Sequence, residues 1–196
     1  MNLRKVTQKG CIKTIHIVKS ISKNVFLVKR AETLEIMKLV SVDNHPWKNL
    51  PSFKKIFPKD KDLLNRIICN YRVMSTTEIG PKFSEQICGN ILIIFMEYLP
   101  IKATEELMKK YESKIQSLIK DMHNRGAVHG DLHGGNIAFT SKLEPKIIDV
   151  DTMFYLDELE DNPLPREWVE NNFDLVENME EFIEYEEEDN WRNIPD

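Results

Sequence analysis

The sequence predicts an α+β protein of two lobes, an antiparallel sheet first and helices second. Three observations carry this. Short runs of β-branched and large apolar residues recur through the first half of the chain. A stripe of helical period then takes over at Glu105–Arg125. Between them Glu97–Pro100 reads as a connector, so the lobes are residues 1–99 and 100–196.

In order, Thr14–Ile21, Val25–Lys29 and Thr33–Val40 alternate like strands, with Ser22-Lys23-Asn24 as a tight turn. A loop with His45, Pro46 and Pro51 follows. Pro58 suits the first turn of a helix over Lys59–Ser75, whose residues Leu63, Leu64, Ile67, Ile68 and Tyr71 keep helical spacing. Gly80-Pro81 ends that element, and strands near Lys82–Phe83 and at Ile91–Met96 complete the sheet. Glu105–Arg125 predicts one helix, with Leu107, Tyr111, Ile115, Leu118, Ile119 and Met122 on one face and Gly126 as a left-handed stop. A strand is expected at Lys146–Val150 and acidic helical stretches around Trp168–Glu188.

Composition sets limits on function. With 196 residues, 41% hydrophobic and 30% charged, the chain can bury a real core. The longest apolar run, Ile91–Met96, is far short of the roughly 18 residues that span a bilayer, so no membrane partner is expected. MNLRKVTQKG lacks the apolar core of a signal peptide, and Cys11, Cys69 and Cys88 are odd in number and scattered. A reducing, cytoplasmic setting is therefore expected, without a disulfide framework. Residues 1–150 carry a net charge of +10 and residues 151–196 one of −15. The acidic segment either pairs with the basic body, is merely solvated, or engages a protein partner; nucleic acid is not expected.

The segment Val128–Phe139, VHGDLHGGNIAF, crowds histidines, glycines, an aspartate and an asparagine between apolar ends. Asn136 follows Asp131 by five positions, and Asp149 follows Asn136 by thirteen. Phosphoryl transfer from ATP calls for such a set: a carboxylate to orient and deprotonate the incoming hydroxyl, and oxygen donors to hold a divalent cation against the phosphates. Gly134 and Gly135 allow a sharp backbone turn, and the histidines can tie that turn together.

His129-Gly130-Asp131-Leu132-His133-Gly134-Gly135-Asn136 resembles the catalytic loop of the protein-kinase-like superfamily in its HGDxxxxN form. That form is known from RIO-type atypical kinases, small archaeal-type kinases and aminoglycoside or choline phosphotransferases. Ile147-Ile148-Asp149-Val150-Asp151 resembles the metal-binding DFG segment, with Asp151 in place of its glycine. The resemblance spans roughly Lys13 to Val150. It implies a bilobal protein-kinase-like fold with a truncated helical C-lobe, since only 47 residues follow Asp149. It also implies Asp131 as catalytic base and Asn136 and Asp149 as ligands of Mg2+ or Mn2+. Ile36-Met37-Lys38 is similar to the third-strand VAIK segment, which gives Lys38 the phosphates of ATP. Phe95-Met96-Glu97-Tyr98-Leu99 resembles the hinge, with Met96 as gatekeeper and the backbones of Glu97 and Leu99 at the adenine. Ala138 would floor the adenine pocket. Ser20, Ser22 and Val25 stand where the phosphate-covering loop belongs, and a protein Ser/Thr acceptor is the favoured substrate.

Two departures are plain. Ser20–Val25 contains no glycine, so close backbone approach to phosphates is harder. No glutamate is evident to pair with Lys38; helix phase offers Asn70 or Asn65, with Asp62 more distant. Asp174 is a candidate anchor for the catalytic loop, or only part of a solvated acidic face. Two other readings stay open: a pseudokinase acting as a binding protein, and a small-molecule kinase. A zinc hydrolase built on His129, Asp131 and His133 lacks a second ligand motif, and no GxxxxGK[ST] occurs.

Overall fold

The computed structural model describes residues 15–49 and 57–155. The stretch Trp168–Glu188 and Asp174 therefore lie outside the described residues. The fold is mixed α+β, and its strands pair antiparallel. The chain divides into two compact units, with the division between Tyr98 and Leu99; the four residues Thr77–Gly80 belong to the second unit.

The first unit is a five-stranded sheet built from β1 (His16–Ser22), β2 (Val25–Arg30), β3 (Thr33–Ser41), β4 (Phe83–Cys88) and β5 (Ile91–Glu97), in the order β1-β2-β3-β5-β4. Register divides its side chains between two faces. Val28, Met37 and Phe95 form a buried cluster on one face, with Phe26, Leu39 and Ile93 packed against it. Val25, Lys38, Ile94 and Glu85 form a row on the other. The helix α1 (Asp60–Thr76) packs on that second face: Tyr71 meets Phe83 with ring centroids 5.6 Å apart, and Arg72 reaches Glu85 at 3.4 Å. Its buried stripe is Leu63, Leu64, Ile67, Asn70, Tyr71 and Met74. Asp62 closes its N-terminus by accepting from the Lys59 N–H at 2.8 Å.

β4 runs well beyond the Lys82–Phe83 expected from sequence. It is an edge strand, and its Ser84-Glu85-Gln86 gives no apolar alternation because edges tolerate polar residues. Arg30 grips both oxygens of Glu35, at 2.5 and 2.9 Å, and lies 4.3 Å over the Phe95 ring.

The second unit holds β6 (Ile101–Lys102), α2 (Glu105–Lys110), α3 (Glu112–Asn124), β7 (Ala127–Val128), β8 (Ile137–Phe139), β9 (Pro145–Ile147) and β10 (Phe154–Tyr155). Met108, Ile115, Ile119, Met122, Phe139, Ile147 and Phe154 make its core. Two differences from the sequence reading appear here. The single helix expected over Glu105–Arg125 is two, broken at Tyr111, which caps both. Lys109 and Lys110 end the first and Glu112 starts the second, each charge complementing a helix dipole. The Tyr111 ring is held against Phe139, with centroids 5.6 Å apart. The expected strand at Lys146–Val150 stops at Ile147, because Asp149 turns left-handed, φ 61° and ψ 52°. Gly126 does take the left-handed stop, at φ 71°, with its N–H on the His123 carbonyl at 2.8 Å.

The β2–β3 hairpin turns on Ala31 and Glu32, both at positive φ, 47° and 70°. Such a two-residue turn suits Asn-Gly, while a side chain in the left-handed region costs about 1–2 kcal/mol. The double substitution Ala31→Asn and Glu32→Gly is expected to raise the midpoint of thermal unfolding by several degrees. A calorimetric scan that shows a lower midpoint would contradict this turn geometry.

Candidate functional site

The second unit brings together the loop that follows β7 and the turn that follows β9. Three hydrogen bonds do this. The Ile148 N–H donates to the Asn136 carbonyl at 2.9 Å, and the Ile148 carbonyl meets His129 Nε2 at 2.8 Å. The Thr152 hydroxyl donates to the His129 carbonyl at 3.2 Å. One peptide, that of Ile148, is thus fixed on both sides, and Asp149 is the next residue. β10 then pairs with β7, Phe154 opposite Val128, so the chain returns beside the strand it left.

Within the loop, Asn136 Nδ2 donates to the Asp131 carbonyl at 2.7 Å, which turns the amide oxygen the other way. Asn136 is 6% exposed, so this orientation is held by burial as well. Asp131 is an exposed residue, and its neighbour Leu132 is buried. His133 Nδ1 accepts from the Gly135 N–H at 3.1 Å, and the His133 carbonyl accepts from the Asn136 N–H at 2.9 Å. Gly130 stands at φ 80°, where a side chain would be strained. Both histidines therefore tie backbone, as the sequence suggests. Asp149 is a non-glycine residue in the left-handed region, a conformation that persists where surrounding contacts over-determine it.

His129 is fully buried. Burial pushes its imidazole below the ordinary 6.5, against the opposing pull of the Ile148 carbonyl, Asp149 and Asp131. The ring is accordingly neutral, with its proton on Nε2 toward Ile148, and Nδ1 has no hydrogen-bond partner. A bare buried acceptor costs about 1–3 kcal/mol, an expense set against the fixing of Ile148.

The other expected site residues fall as follows. Ser22 pairs with Val25 and Val25 with Lys38, and Met96 pairs with Ile36. Val25, Lys38 and Met96 thus share one face of the first unit's sheet, and Lys38 is half-buried. Ser20 pairs with Phe26 across an irregularity in β1, which puts it on the opposite face; its hydroxyl bonds the Ser22 carbonyl at 3.1 Å. The segment Ser20–Val25 is a hairpin closed by Lys23 and Asn24, with the Asn24 carbonyl accepting from the Leu39 N–H at 2.8 Å. Met96 is buried, Glu97 is exposed, and the Glu97 N–H bonds the Lys82 carbonyl at 2.8 Å. Leu99 and Ala138 belong to the second unit; Ala138 is buried in β8 opposite Lys102 and Lys146. Of the α1 candidates near Lys38, Asn65 is exposed and Asp62 caps the helix, whereas Asn70 is fully buried. The roles of Thr152 and β10 had no sequence signal, since each rests on pairing with residues more than twenty positions away.

Asn136 and Asp149 offer hard oxygen donors, the chemistry that suits Mg2+ or Mn2+. Among the described residues no three His, Cys, Asp or Glu side chains form a metal-holding group, and no helix is long and apolar enough to cross a membrane. No protein-family model matches the chain, and no curated protein matches it either.

Linkage gives the acid behaviour its sign. The folded-state value of His129 is depressed, so the unfolded chain binds the extra proton as pH falls through the ordinary 6.5. Stability is full above that value and drains away below it. Denaturant unfolding of the wild type should weaken from about pH 7 to about pH 5, and His129→Gln should reduce that slope. Identical slopes in the two proteins would show that His129 does not titrate with unfolding.

Proposed function

We propose that the chain is an ATP- and Mg2+-dependent phosphotransferase, with a protein serine or threonine as the favoured acceptor. The observation that carries this reading is the double tie of Ile148, which holds the turn bearing Asp149 to the carbonyl of Asn136. Two oxygen donors thirteen residues apart in sequence are thereby brought to neighbouring backbone, with Asp131 tied to Asn136 from the other side.

In this reaction the acceptor hydroxyl oxygen bonds the γ-phosphorus while the bond from that phosphorus to the β,γ-bridging oxygen breaks. The bridging electrons leave with ADP, and the hydroxyl proton passes to the Asp131 carboxylate. Asn136 and Asp149 would hold Mg2+, which neutralises the charge of the phosphates when bound. By the resemblance, Lys38 would meet the phosphates, and the backbones of Glu97 and Leu99 would meet the adenine.

A second reading, the pseudokinase, is favoured by one feature. The Ser20–Val25 hairpin has no glycine and closes in a two-residue turn, which leaves little backbone free to approach phosphates. A small-molecule kinase differs from the first reading in its acceptor alone.

The deciding experiment is incubation with γ-labelled ATP and Mg2+, resolving protein-bound label from free phosphate. Slow transfer to protein is expected, and no label on protein, free phosphate or any hydroxyl acceptor would reject the reading. Asp131→Asn should keep nucleotide binding while cutting transfer by about 10²–10⁴-fold. Asp149→Ala should abolish the Mg2+-dependent part of the thermal shift given by ATP. Equal shifts with and without metal in wild type and Asp149→Ala would remove Asp149 from the metal site.

A further inference from the structure

We propose that the sheet face of the first unit turned away from α1 is a docking surface, and that its occupant is the chain's own segment 1–14. The proposal is independent of the phosphotransferase reading and concerns a surface that reading does not use. An antiparallel sheet covered on one face commonly carries polar residues on the other. This sheet does not. Opposite α1, register places Phe26, Val28, Met37, Leu39, Ile93 and Phe95 side by side. Val28, Met37 and Phe95 are buried, but Phe26, Leu39 and Ile93 are only half-buried, and Ile91 at the end of the same row is 42% exposed. Scattered exposed apolar residues are ordinary, whereas a contiguous apolar layer marks a surface made to be covered. Among the described residues, this layer is built from strand side chains and one residue outside the strands, Ile15.

Ile15 points to the occupant. It precedes β1 and packs against the layer, so the segment MNLRKVTQKGCIKT joins the chain at the rim of this face. A segment tethered there meets the face at high effective concentration. Leu3, Val6 and Ile12 give it apolar side chains to lay on the layer. Reach is sufficient. Five strands about 4.8 Å apart make a face about 19 Å wide. Residues 1–14 span about 21 Å as a helix and about 46 Å as extended chain. Charge separates this segment from the acidic one at the other end. The charged strand residues on the face are Arg30, already held by Glu35, and the carboxylates Glu35 and Glu97. Residues 1–14 bring Arg4, Lys5, Lys9 and Lys13 and no acid, which suits those carboxylates. Residues 151–196, at net −15, would be repelled by them.

Cross-linking in the full chain tests the placement. Cys11 lies within the segment, and Cys69 is exposed on α1, the helix of the opposite face. In the variant Ile93→Cys with Cys88→Ser, a short bismaleimide should join Cys11 to the thiol introduced at position 93, within one chain, and leave Cys69 unjoined to Cys11. Peptide mapping by mass spectrometry reads the pairs. Joining of Cys11 to Cys69 instead, or to neither, overturns the proposal. So does a link between two chains accompanied by a dimer in sedimentation, which would give the face to a second copy. A second measurement reads the cover itself. The full-chain double substitution Val6→Glu and Ile12→Glu should raise the fluorescence of the apolar dye anilinonaphthalene sulfonate several-fold, because it uncovers the layer. It should also lower the midpoint of thermal unfolding by several degrees. Dye binding and midpoint equal to wild type would show that the segment does not cover this face.

Discussion

Most of the second unit's organisation depends on the peptide of Ile148. Its N–H and carbonyl are satisfied by two different segments, the Asn136 backbone and the His129 ring. A half-buried peptide that loses either partner loses about one hydrogen bond and leaves a partly desolvated group behind. The neutral state of His129 follows from the same arrangement, because a charged ring in that site would meet burial on all sides. The left-handed Asp149 is held by what comes before it at Ile148 and after it at Thr152 and β10. The chemistry proposed for Asp131, Asn136 and Asp149 therefore stands on a histidine that performs none of it.

The first unit is organised by a different constraint, the period of two in its strands. Because side chains alternate, one register gathers Met37, Phe95 and Val28 into a hydrophobic layer and sends Val25, Lys38 and Met96 to the other face. Two register shifts in β1 interrupt that alternation, and the one between Ser20 and Ser22 separates Ser20 from the residues with which it was grouped. Asn70 is the fully buried polar residue in the stripe of α1, the helix on the face that carries Lys38. An amide there adds no counter-charge, in contrast to the glutamate that the resemblance implies.

How much of this was legible from the chain depends on the range of the interaction. Strands β1, β2, β3 and β5, helix α1 and the stop at Gly126 follow from local pattern, and each falls within a residue or two of its expectation. The loop His129–Asn136 is legible too, since its spacing is a local property of eight residues. β4 was mostly invisible because an edge strand needs no apolar alternation. The break at Tyr111 was hidden by a stripe that continues in phase across it, although Lys109-Lys110-Tyr111-Glu112 carries the charge reversal of two helix ends. The pairing of β10 with β7 had no local sign at all.

That pairing has a consequence for how the chain folds. Ala127 and Tyr155 face one another, so the span from 127 to 155 leaves and returns at one place. β8 and β9 pair inside it, and the Ile148 and Thr152 bonds also lie within its bounds. It is a closed loop of modest sequence separation, the sort of segment whose closure entropy is small and whose contacts form early. Asp131, Asn136 and Asp149 are thus contained in one closed segment, and local opening of it would displace all three at once rather than one by one.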